Sequence, residues 1–314
     1  MEKLKLTRAE ALRAAIRRLP ENHPSKSFLK KELHNTEAGV RGENRLRKKF
    51  VEYYSTDKYE IIWNVNLSLG DWPVQIDGLL LTSRVAVVIE SKNISGDLYF
   101  DNETGEFYRI DSTGVKTVMD NPAIQVEKHV RFMKAWLNKY SIHLPVEGLL
   151  VFTAKQSELK SIPRNVHTCR VHQMIEKLFN IMKVYQNSSY SENFLKNFRQ
   201  LIDENQTPYA QKSVSLYYSI EQTEFSKGIY CNECNLPTVE RQRQKWYCKQ
   251  CGLKNENALY EAVREYFALI GGHVTNKSIR GFTGFDDRHI VKRLLTSYAF
   301  QTKGKTKDRQ YFIK

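Results

Sequence analysis

The sequence predicts an α/β domain followed by two small C-terminal modules, and three observations support this prediction. Apolar runs of strand length alternate with segments of helical periodicity over about 43–202. Four of the five cysteines then fall into one cluster at 231–251. Beyond that cluster, 255–314 contains further helical patterns and ends in two short strand patterns. We therefore expect a mixed sheet with helices on both faces, then a cysteine-bearing hairpin and a compact C-terminal unit.

Length and composition favour a globular protein that binds a polyanion. The 314 residues are enough for two or three domains, and 41% hydrophobic with 27% charged residues is ordinary for a soluble chain. The formal net charge of +14 favours nucleic acid first and an anionic membrane surface second. No segment approaches the roughly 20 apolar residues that cross a bilayer. We therefore expect no membrane association and a cytoplasmic location, where clustered cysteines favour metal over disulfide.

Two helices are predicted before the first strand. A basic amphipathic helix at 7–19 buries Leu12 and Ile16 and ends at Pro20. A second helix is predicted at about 43–54, where Leu46, Phe50 and Tyr54 share one face. Glu43 lies three residues before Leu46, so we expect an acid on that inward face.

Alternating strands and helices fill the rest of the α/β domain. The two apolar runs at 74–82 and 85–93 are close enough to pair as neighbours, and 96–110 has the alternation and turn of a hairpin. The helix after Pro122 carries one stripe of four residues, namely Gln125, His129, Phe132 and Trp136. The remaining predictions are strands at 59–67, 146–153 and 165–172, and helices within 171–202.

Charged residues interrupt the two neighbouring strands where burial is expected. Glu90 and Lys92 are two apart and share a face, and the adjacent strand can bring Asp77 to the same edge. Two buried carboxylates repel and lose hydration, which costs several kcal/mol unless a cation lies between them. Oxygen ligands indicate Mg²⁺ or Mn²⁺. The alternative is a turn at Asp77 and a surface ion pair between Glu90 and Lys92.

The segments GVRGENRLRKKF, QIDGLLLT, VVIESKN and NPAIQVEKH together resemble the nuclease-related domain, NERD, of the PD-(D/E)XK nuclease superfamily. The resemblance covers about 38–155 and implies a restriction-endonuclease-like mixed sheet flanked by helices. It also implies roles for five residues, although Ile76 precedes the first acid where many members have proline. By this resemblance, the catalytic set is Asp77 and Glu90 as metal-binding acids, Lys92 as the motif lysine, Glu43 as the helix-borne acid and Gln125 beside the lysine or substrate.

His129 lies one helical turn after Gln125. Two interpretations remain open for it: it points into the same cleft as Gln125, or it lies on the helix surface.

The cysteine cluster has the spacing of a structural zinc site. Cys231 and Cys234 form one C-x2-C pair, Cys248 and Cys251 form another, and thirteen residues separate the pairs. Each pair lets two thiolates reach one ion, and four sulfurs complete the tetrahedron that structural Zn²⁺ prefers. The segment resembles a zinc ribbon. With no open coordination position, the zinc is expected to be structural and not catalytic.

The C-terminal unit resembles a winged helix-turn-helix. ALYEAVREYFALIGG reads as a helix stopped by Gly271, and a short helix follows with Thr275 as its N-cap. Asp286 is the expected N-cap of a third helix, and the chain closes with two strands joined by a basic loop. Such modules bind DNA through the third helix and the wing, or dock proteins. The expected DNA-binding residues are Arg288, Lys292, Arg293, Lys303, Lys305, Lys307 and Arg309.

The sequence as a whole favours a metal-dependent DNA endonuclease. The alternative is a non-catalytic DNA-binding protein that uses the nuclease fold as a scaffold, and charge alone does not separate DNA from RNA. Cutting both strands would favour a homodimer or two successive nicks. The predicted domains are an N-terminal helical extension at 1–37, the nuclease domain at 38–202, a linker at 203–228, the zinc ribbon at 229–254 and the winged-helix-like domain at 255–314.

Overall fold

The computed structural model describes residues 4–185, 190, 192–207, 212–298, 300–305 and 308–313. The chain forms two compact units. One, the nuclease-like unit, comprises the described residues within 38–209, and the other, the terminal unit, combines 1–37 with 210–314. The segment 1–37, predicted as an extension, therefore belongs with the C-terminal modules.

Helices occur in both units, and none in the described part of the chain is long and apolar enough to cross a membrane. Short 3₁₀ turns lie at Val171–Gln173 and Gln222–Glu224. The helices are α1 (Arg8–Arg18), α2 (Ser25–Phe50), α3 (Pro122–Lys139), α4 (Met174–Val184), α5 (Glu192–Glu204), α6 (Val214–Tyr218), α7 (Ala258–Leu269), α8 (Asn276–Thr283) and α9 (Arg288–Ser297).

Strands form two sheets in the nuclease-like unit and two hairpins in the terminal unit. The first nine belong to the nuclease-like unit: β1 (Tyr59–Leu69), β2 (Trp72–Thr82), β3 (Ala86–Lys92), β4 (Gly96–Phe100), β5 (Phe107–Ile110), β6 (Lys116–Met119), β7 (Val146–Phe152), β8 (Ser157–Leu159) and β9 (His167–Arg170). The other four are β10 (Val239–Gln242), β11 (Lys245–Cys248), β12 (Gln301–Lys303) and β13 (Gln310–Phe312).

The central sheet of the nuclease-like unit is mixed, as the sequence predicts. Its five strands lie in the order β1-β2-β3-β7-β9. The first three are antiparallel neighbours, whereas β7 runs parallel to both β3 and β9. A parallel pair needs a crossover connection, and here α3 supplies it between β3 and β7. The chain thus has the predicted α/β architecture.

Helices cover both faces of this sheet and bury its apolar side chains. On one face, α2 and α4 contribute Leu46, Phe50 and Leu178 to a core beneath β3 and β7. On the opposite face, α3 and α5 contribute Trp136 and Phe198. Burial on both sides explains why β3 is apolar until its last residues. Of the charged residues at that end, Glu90 is still buried and Lys92 is partly exposed.

A second sheet, in the order β6-β5-β4-β8, adjoins the same end of the central strands. β4 directly follows β3, and β8 follows β7. Its inward side chains include Leu98, Phe100 and Phe107, which pack with Phe152 of β7. The sequence predicted the β4–β5 hairpin, but β6 and β8 were not predicted because each is only three or four residues long.

The helix predicted at 43–54 is wrong in both bounds. α2 begins at Ser25 and ends at Phe50. Tyr54, expected on its inner face, lies beyond the helix and is 81% exposed, whereas Tyr53 is buried at 4%. The early start was missed because Gly39 and Gly42 lower the helix propensity of the first half.

The terminal unit has a core of its own. Leu12 of α1 and Leu29 of α2 are buried in one cluster with Trp246, Val263 and Leu295. Thr7 caps α1 with a capping box, as its side chain accepts from the Glu10 amide. The segment predicted as a linker at 203–228 includes α6, whose Val214 is fully buried in this cluster. That part of the segment is therefore folded because its apolar side chains cover the core.

Candidate active site and metal centre

Asp77 and Glu90 lie at the end of the antiparallel pair formed by β2 and β3. The last residues in register are Gly78 and Ile89, so the next step places Asp77 across from Glu90. Asp77 Oδ2 accepts hydrogen bonds from the Ser91 amide at 2.9 Å and the Ser91 hydroxyl at 2.8 Å. Gly78 leaves room beside it for Trp63, whose ring carbon would be 2.7 Å from a Cβ at that position. The strand register therefore brings the two acids to one edge.

Lys92 links Glu90 to Gln125. Its Nζ donates to Glu90 Oε1 at 2.9 Å and to Gln125 Oε1 at 2.7 Å. Glu90 is only 3% exposed, whereas the Lys92 side chain is 27% exposed. An ammonium has three N–H donors, so one remains for a group in solution. The predicted strand acid, lysine and helix glutamine thus form one hydrogen-bonded set.

His129 is buried against Glu90 and does not lie on the helix surface. Its Nδ1 is 3.5 Å from Glu90 Oε2, and the residue is 8% exposed. Neither atom has a hydrogen-bond partner among the described residues. The two atoms lie at ion-pair distance without a hydrogen bond, so each keeps the capacity to bind another group. Sequence reasoning left this residue open, and the stripe it shares with Gln125 was the available signal.

Glu43 reaches the same region from α2. Gly42 beside it is buried, and a Cβ there would be 2.6 Å from Thr153 Oγ1 and 2.9 Å from Asn93 Cβ. Arg45 donates to the Asn93 side-chain oxygen at 3.1 Å and to the Thr153 carbonyl at 3.0 Å. These contacts hold α2 close to the residues that follow β3 and β7. The sequence predicted the acid but not the glycine and arginine that position it.

The carboxylates differ in their protonation equilibria. Burial, followed by repulsion from Glu90, raises the pKa of Asp77 to about 6. Burial also raises the pKa of Glu43, although Arg47 opposes the shift. Burial alone would raise the pKa of Glu90, but His129 and Lys92 outweigh it and leave this pKa below its ordinary value. Glu90 is therefore the carboxyl group that ionises most readily, whereas Asp77 and Glu43 ionise at a higher pH than an ordinary carboxyl group.

These residues fit a divalent cation chemically. The Lys92 ammonium is hydrogen-bonded to Glu90 Oε1, so Oε2, which accepts no hydrogen bond from the described residues, is the oxygen available to an ion. Oxygen donors from acids suit Mg²⁺ or Mn²⁺, and a cation would remove the repulsion that adds to burial in raising the pKa of Asp77. The carboxylate oxygens are less tightly clustered in Glu43, Asp77 and Glu90 than the sulfurs are in the cysteine cluster. Within the described chain, the cysteines are the one group whose possible ligand atoms all lie within 4.8 Å of one another.

The sulfurs of the four clustered cysteines all lie within 4.8 Å of one another, beside the β10–β11 hairpin. Cys231 and Cys251 have sulfurs 3.7 Å apart, and those of Cys234 and Cys248 are 3.8 Å apart. Sulfurs bound to one Zn²⁺ at about 2.3 Å lie about 3.8 Å from each other. The Thr238 hydroxyl lies 3.1 Å from the Cys248 sulfur, and with two backbone amides it lowers the pKa of this thiol to about 6. The predicted four-sulfur geometry is therefore suited to a metal ion.

Three helices and a hairpin follow, as predicted for the C-terminal unit. Val274, between α7 and α8, bridges to Tyr311 of β13, which adds a third short strand to β12 and β13. The N-cap prediction was wrong by one residue, because Asp287 accepts from the amides of His289 and Ile290 while Asp286 pairs with Arg280. The arrangement presents α9 and the hairpin as the two basic elements of the module.

The predicted DNA-binding residues lie mainly on the surface. Along α9 the three basic residues are exposed, and two more are exposed on the hairpin, whereas Arg309 is half-buried and Lys307 lies outside the described residues. The exposed five are Arg288, Lys292, Arg293, Lys303 and Lys305.

Comparison with known proteins identifies the class of the first unit. Residues 38–153 match the family model of the nuclease-related domain, NERD. This part of the chain is therefore a nuclease-related domain, which confirms the resemblance carried by its motifs. No match was found among curated proteins. The small subunit of the heterodimeric restriction endonuclease R.BspD6I is a similar solved structure, with 13% identity over 56% of this chain and 91% of that chain and a TM-score of 0.24.

Proposed function

We propose that this protein is a metal-dependent nuclease that hydrolyses phosphodiester bonds in DNA. One observation carries the proposal: inside a nuclease-related domain, Lys92 is hydrogen-bonded to Glu90 and Gln125 at the edge where Asp77 faces Glu90. A scaffold has no physical need for buried acids that repel each other, because their desolvation is unfavourable.

Each residue has a distinct role in this proposal. Asp77, Glu43 and the free oxygen of Glu90 would hold Mg²⁺ or Mn²⁺. When bound, the ion supplies an activated water and neutralises charge on the phosphate. The third N–H of Lys92 donates to a phosphate oxygen or to the attacking water, where charge develops in the transition state. Gln125 fixes the ammonium by accepting its hydrogen bond, and His129 stabilises the charge of Glu90.

The terminal unit is proposed to bind DNA and to contain a structural zinc ion. The exposed cations of α9 and of the β12–β13 hairpin would contact backbone phosphates, in the manner of a winged helix. A closed four-sulfur site leaves no position for substrate, so its zinc stabilises the fold.

Cleavage assays test the nuclease proposal. Purified protein is incubated with plasmid and with single-stranded DNA in Mg²⁺, Mn²⁺ or EDTA, with an RNA substrate in parallel. We expect metal-dependent cleavage of DNA that falls at least about 100-fold in Asp77→Asn and in Lys92→Met. Asp71→Asn and Lys134→Met, which alter exposed residues of the same types, serve as matched controls and retain activity.

Two outcomes would overturn the proposal. DNA binding without cleavage by the wild-type protein and both variants would identify a non-catalytic DNA-binding protein. Cleavage that survives in both site variants would place the chemistry elsewhere.

Metal analysis tests the zinc assignment. We expect about one zinc per chain in the wild-type protein and in Cys169→Ala, whose thiol lies outside the cluster. Cys251→Ser should lose the zinc and lower the melting temperature of the terminal unit. A wild-type protein without zinc would contradict the assignment.

A further inference from the structure

A strongly basic cleft of about 450 Å³ lies in the nuclease-like unit, apart from the cations predicted to bind DNA. It is lined by residues of α2, by the loop after β7 and by the end of β9. Five of its lining residues are lysines or arginines and one is an acid, Glu52. The cations are Arg45, Lys48, Lys49, Lys155 and Arg170, with His172 beside them.

Structural contacts account for only some of these cations. Arg45 donates to Asn93 and Thr153, Arg170 donates to the Lys155 carbonyl at 2.9 Å, and Lys49 pairs with Glu52 at 2.5 Å. Lys48 and Lys155 are exposed, and neither is ion-paired to any side chain that the structure describes. Two exposed ammonium groups therefore line the cleft without an ion-pair partner, and both are available to an anionic ligand.

The cleft lies next to the chain segment that carries the candidate active site. Thr153, on its wall, donates its amide to the Lys92 carbonyl at 2.9 Å. Arg45 lines the cleft and also donates to the side-chain oxygen of Asn93, the residue that follows Lys92.

We propose that this cleft binds the phosphodiester backbone of the nucleic-acid substrate next to the bond that is cut. This inference rests on the proposed nuclease function and adds the path of the substrate across the nuclease-like unit. Lys48 and Lys155 contact phosphates, and Arg45 joins the cleft to the carboxylates by fixing α2 against Asn93. Such contacts position the strand and carry no sequence information.

Salt-dependent binding of a labelled duplex tests the cleft independently of cleavage. All proteins carry Glu90→Gln so that the probe stays intact, and affinity is measured by fluorescence anisotropy over a range of salt concentrations. In the Lys48→Gln/Lys155→Gln variant, the slope of log affinity against log salt should fall in magnitude by roughly 1.8, because two phosphate contacts are lost. Each single variant should lose about half of this. Lys134→Gln, on α3 at the opposite face of the sheet, is the matched control and should keep the wild-type slope.

Two results would overturn the proposal. One is an unchanged slope in the double variant with its melting temperature preserved. The other is a fall in slope in Lys134→Gln equal to that of each single cleft variant, which would show that net charge and not the cleft sets the slope. Binding is measured in proteins that carry Glu90→Gln, and cleavage is measured in proteins that keep Glu90. Failure of the nuclease proposal is therefore distinguishable from failure of the cleft proposal. With Glu90 intact, the double variant should raise KM and leave kcat unchanged.

Discussion

Asp77 and Glu90 lie across from each other on two strands, but their surroundings shift their pKa values in opposite directions. Glu90 has Lys92 and His129 beside it, which outweigh its burial. Asp77 accepts two hydrogen bonds from Ser91, but these do not offset burial and the charge of Glu90. This edge of the sheet therefore carries Glu90, whose pKa is lowered, and Asp77, whose pKa is about 6.

This pKa predicts how stability depends on pH without divalent metal. The folded state holds a proton on Asp77 up to about pH 6, whereas the unfolded chain releases it near 3.8. The folded state binds more protons in that window, so the free energy of unfolding falls as pH rises through it. Asp77→Asn should remove this decline and be more stable than wild type above pH 6, by on the order of 1–3 kcal/mol.

Urea unfolding of the metal-free wild type and of Asp77→Asn between pH 4.5 and 7.5 measures the effect. Asp71→Asn, at an exposed position of the preceding turn, should follow the wild-type curve. A difference between Asp77→Asn and wild type that does not change with pH would contradict the pKa assignment.

At the scale of elements, the position of α2 depends on a close approach at Gly42. A methyl group there would be within 2.6 Å of Thr153 and 2.9 Å of Asn93, whereas one at Gly39 meets nothing within 4 Å. Both glycines lie in the same helix, so alanine improves helix propensity equally at each. They differ only in what the added carbon contacts.

Alanine at the two positions should therefore have opposite effects. Gly39→Ala should stabilise the protein by about 0.5–1 kcal/mol. Gly42→Ala should destabilise it by about 1–3 kcal/mol and reduce nuclease activity, because α2 must move away with Glu43. Thermal unfolding and cleavage rates of both variants measure this. Equal stabilisation by both substitutions would contradict the packing of α2 against Thr153 and Asn93.

At the scale of the whole molecule, the N-terminal segment completes a unit whose other residues come from the end of the chain. Arg18 is fully buried, donates to Glu265 at 2.8 Å, and donates to the carbonyls of Ser226 and Gly228. Its guanidinium also lies 4.1 Å from the ring centroid of Phe282. Burial lowers the pKa of Arg18 to about 9, yet the group remains charged at neutral pH. One side chain thus ties α1 to the C-terminal modules.

Removing this charge should destabilise the terminal unit strongly. Arg18→Met leaves Glu265 buried with one of its two arginine partners gone, so we expect a loss of about 3–5 kcal/mol. Arg13→Met on the same helix removes an ion pair with Glu37 whose arginine is 55% exposed, and should change stability by less than about 1 kcal/mol. Differential scanning calorimetry compares the two, and similar losses would contradict the buried network.

Local patterns predicted much of this protein because the relevant chemistry lies close together in the chain. The period of a strand places Glu90 and Lys92 on one face, and the spacing of the cysteine pairs predicts four sulfurs around one ion. Both predictions depend on neighbours within a few residues. Glu43 and Gln125 were assigned from family motifs, and the structure places Gln125 against Lys92.

Contacts between distant segments could not be predicted in the same way. The ion pair of Arg18 and Glu265 joins residues 247 positions apart, and the basic cleft combines cations from α2, the loop after β7 and β9. The burial of His129 against Glu90 depends on how α3 packs on the sheet.

The sequence by itself thus determined the α/β class and predicted that Glu90 and Lys92 share a face, because helical and strand periodicity fix local geometry, and the spacing of the cysteines predicted the four-sulfur cluster. Only the tertiary structure decided the pairing of the two chain ends, the close approach of α2 and the cleft beside the site, because those depend on which surfaces pack together.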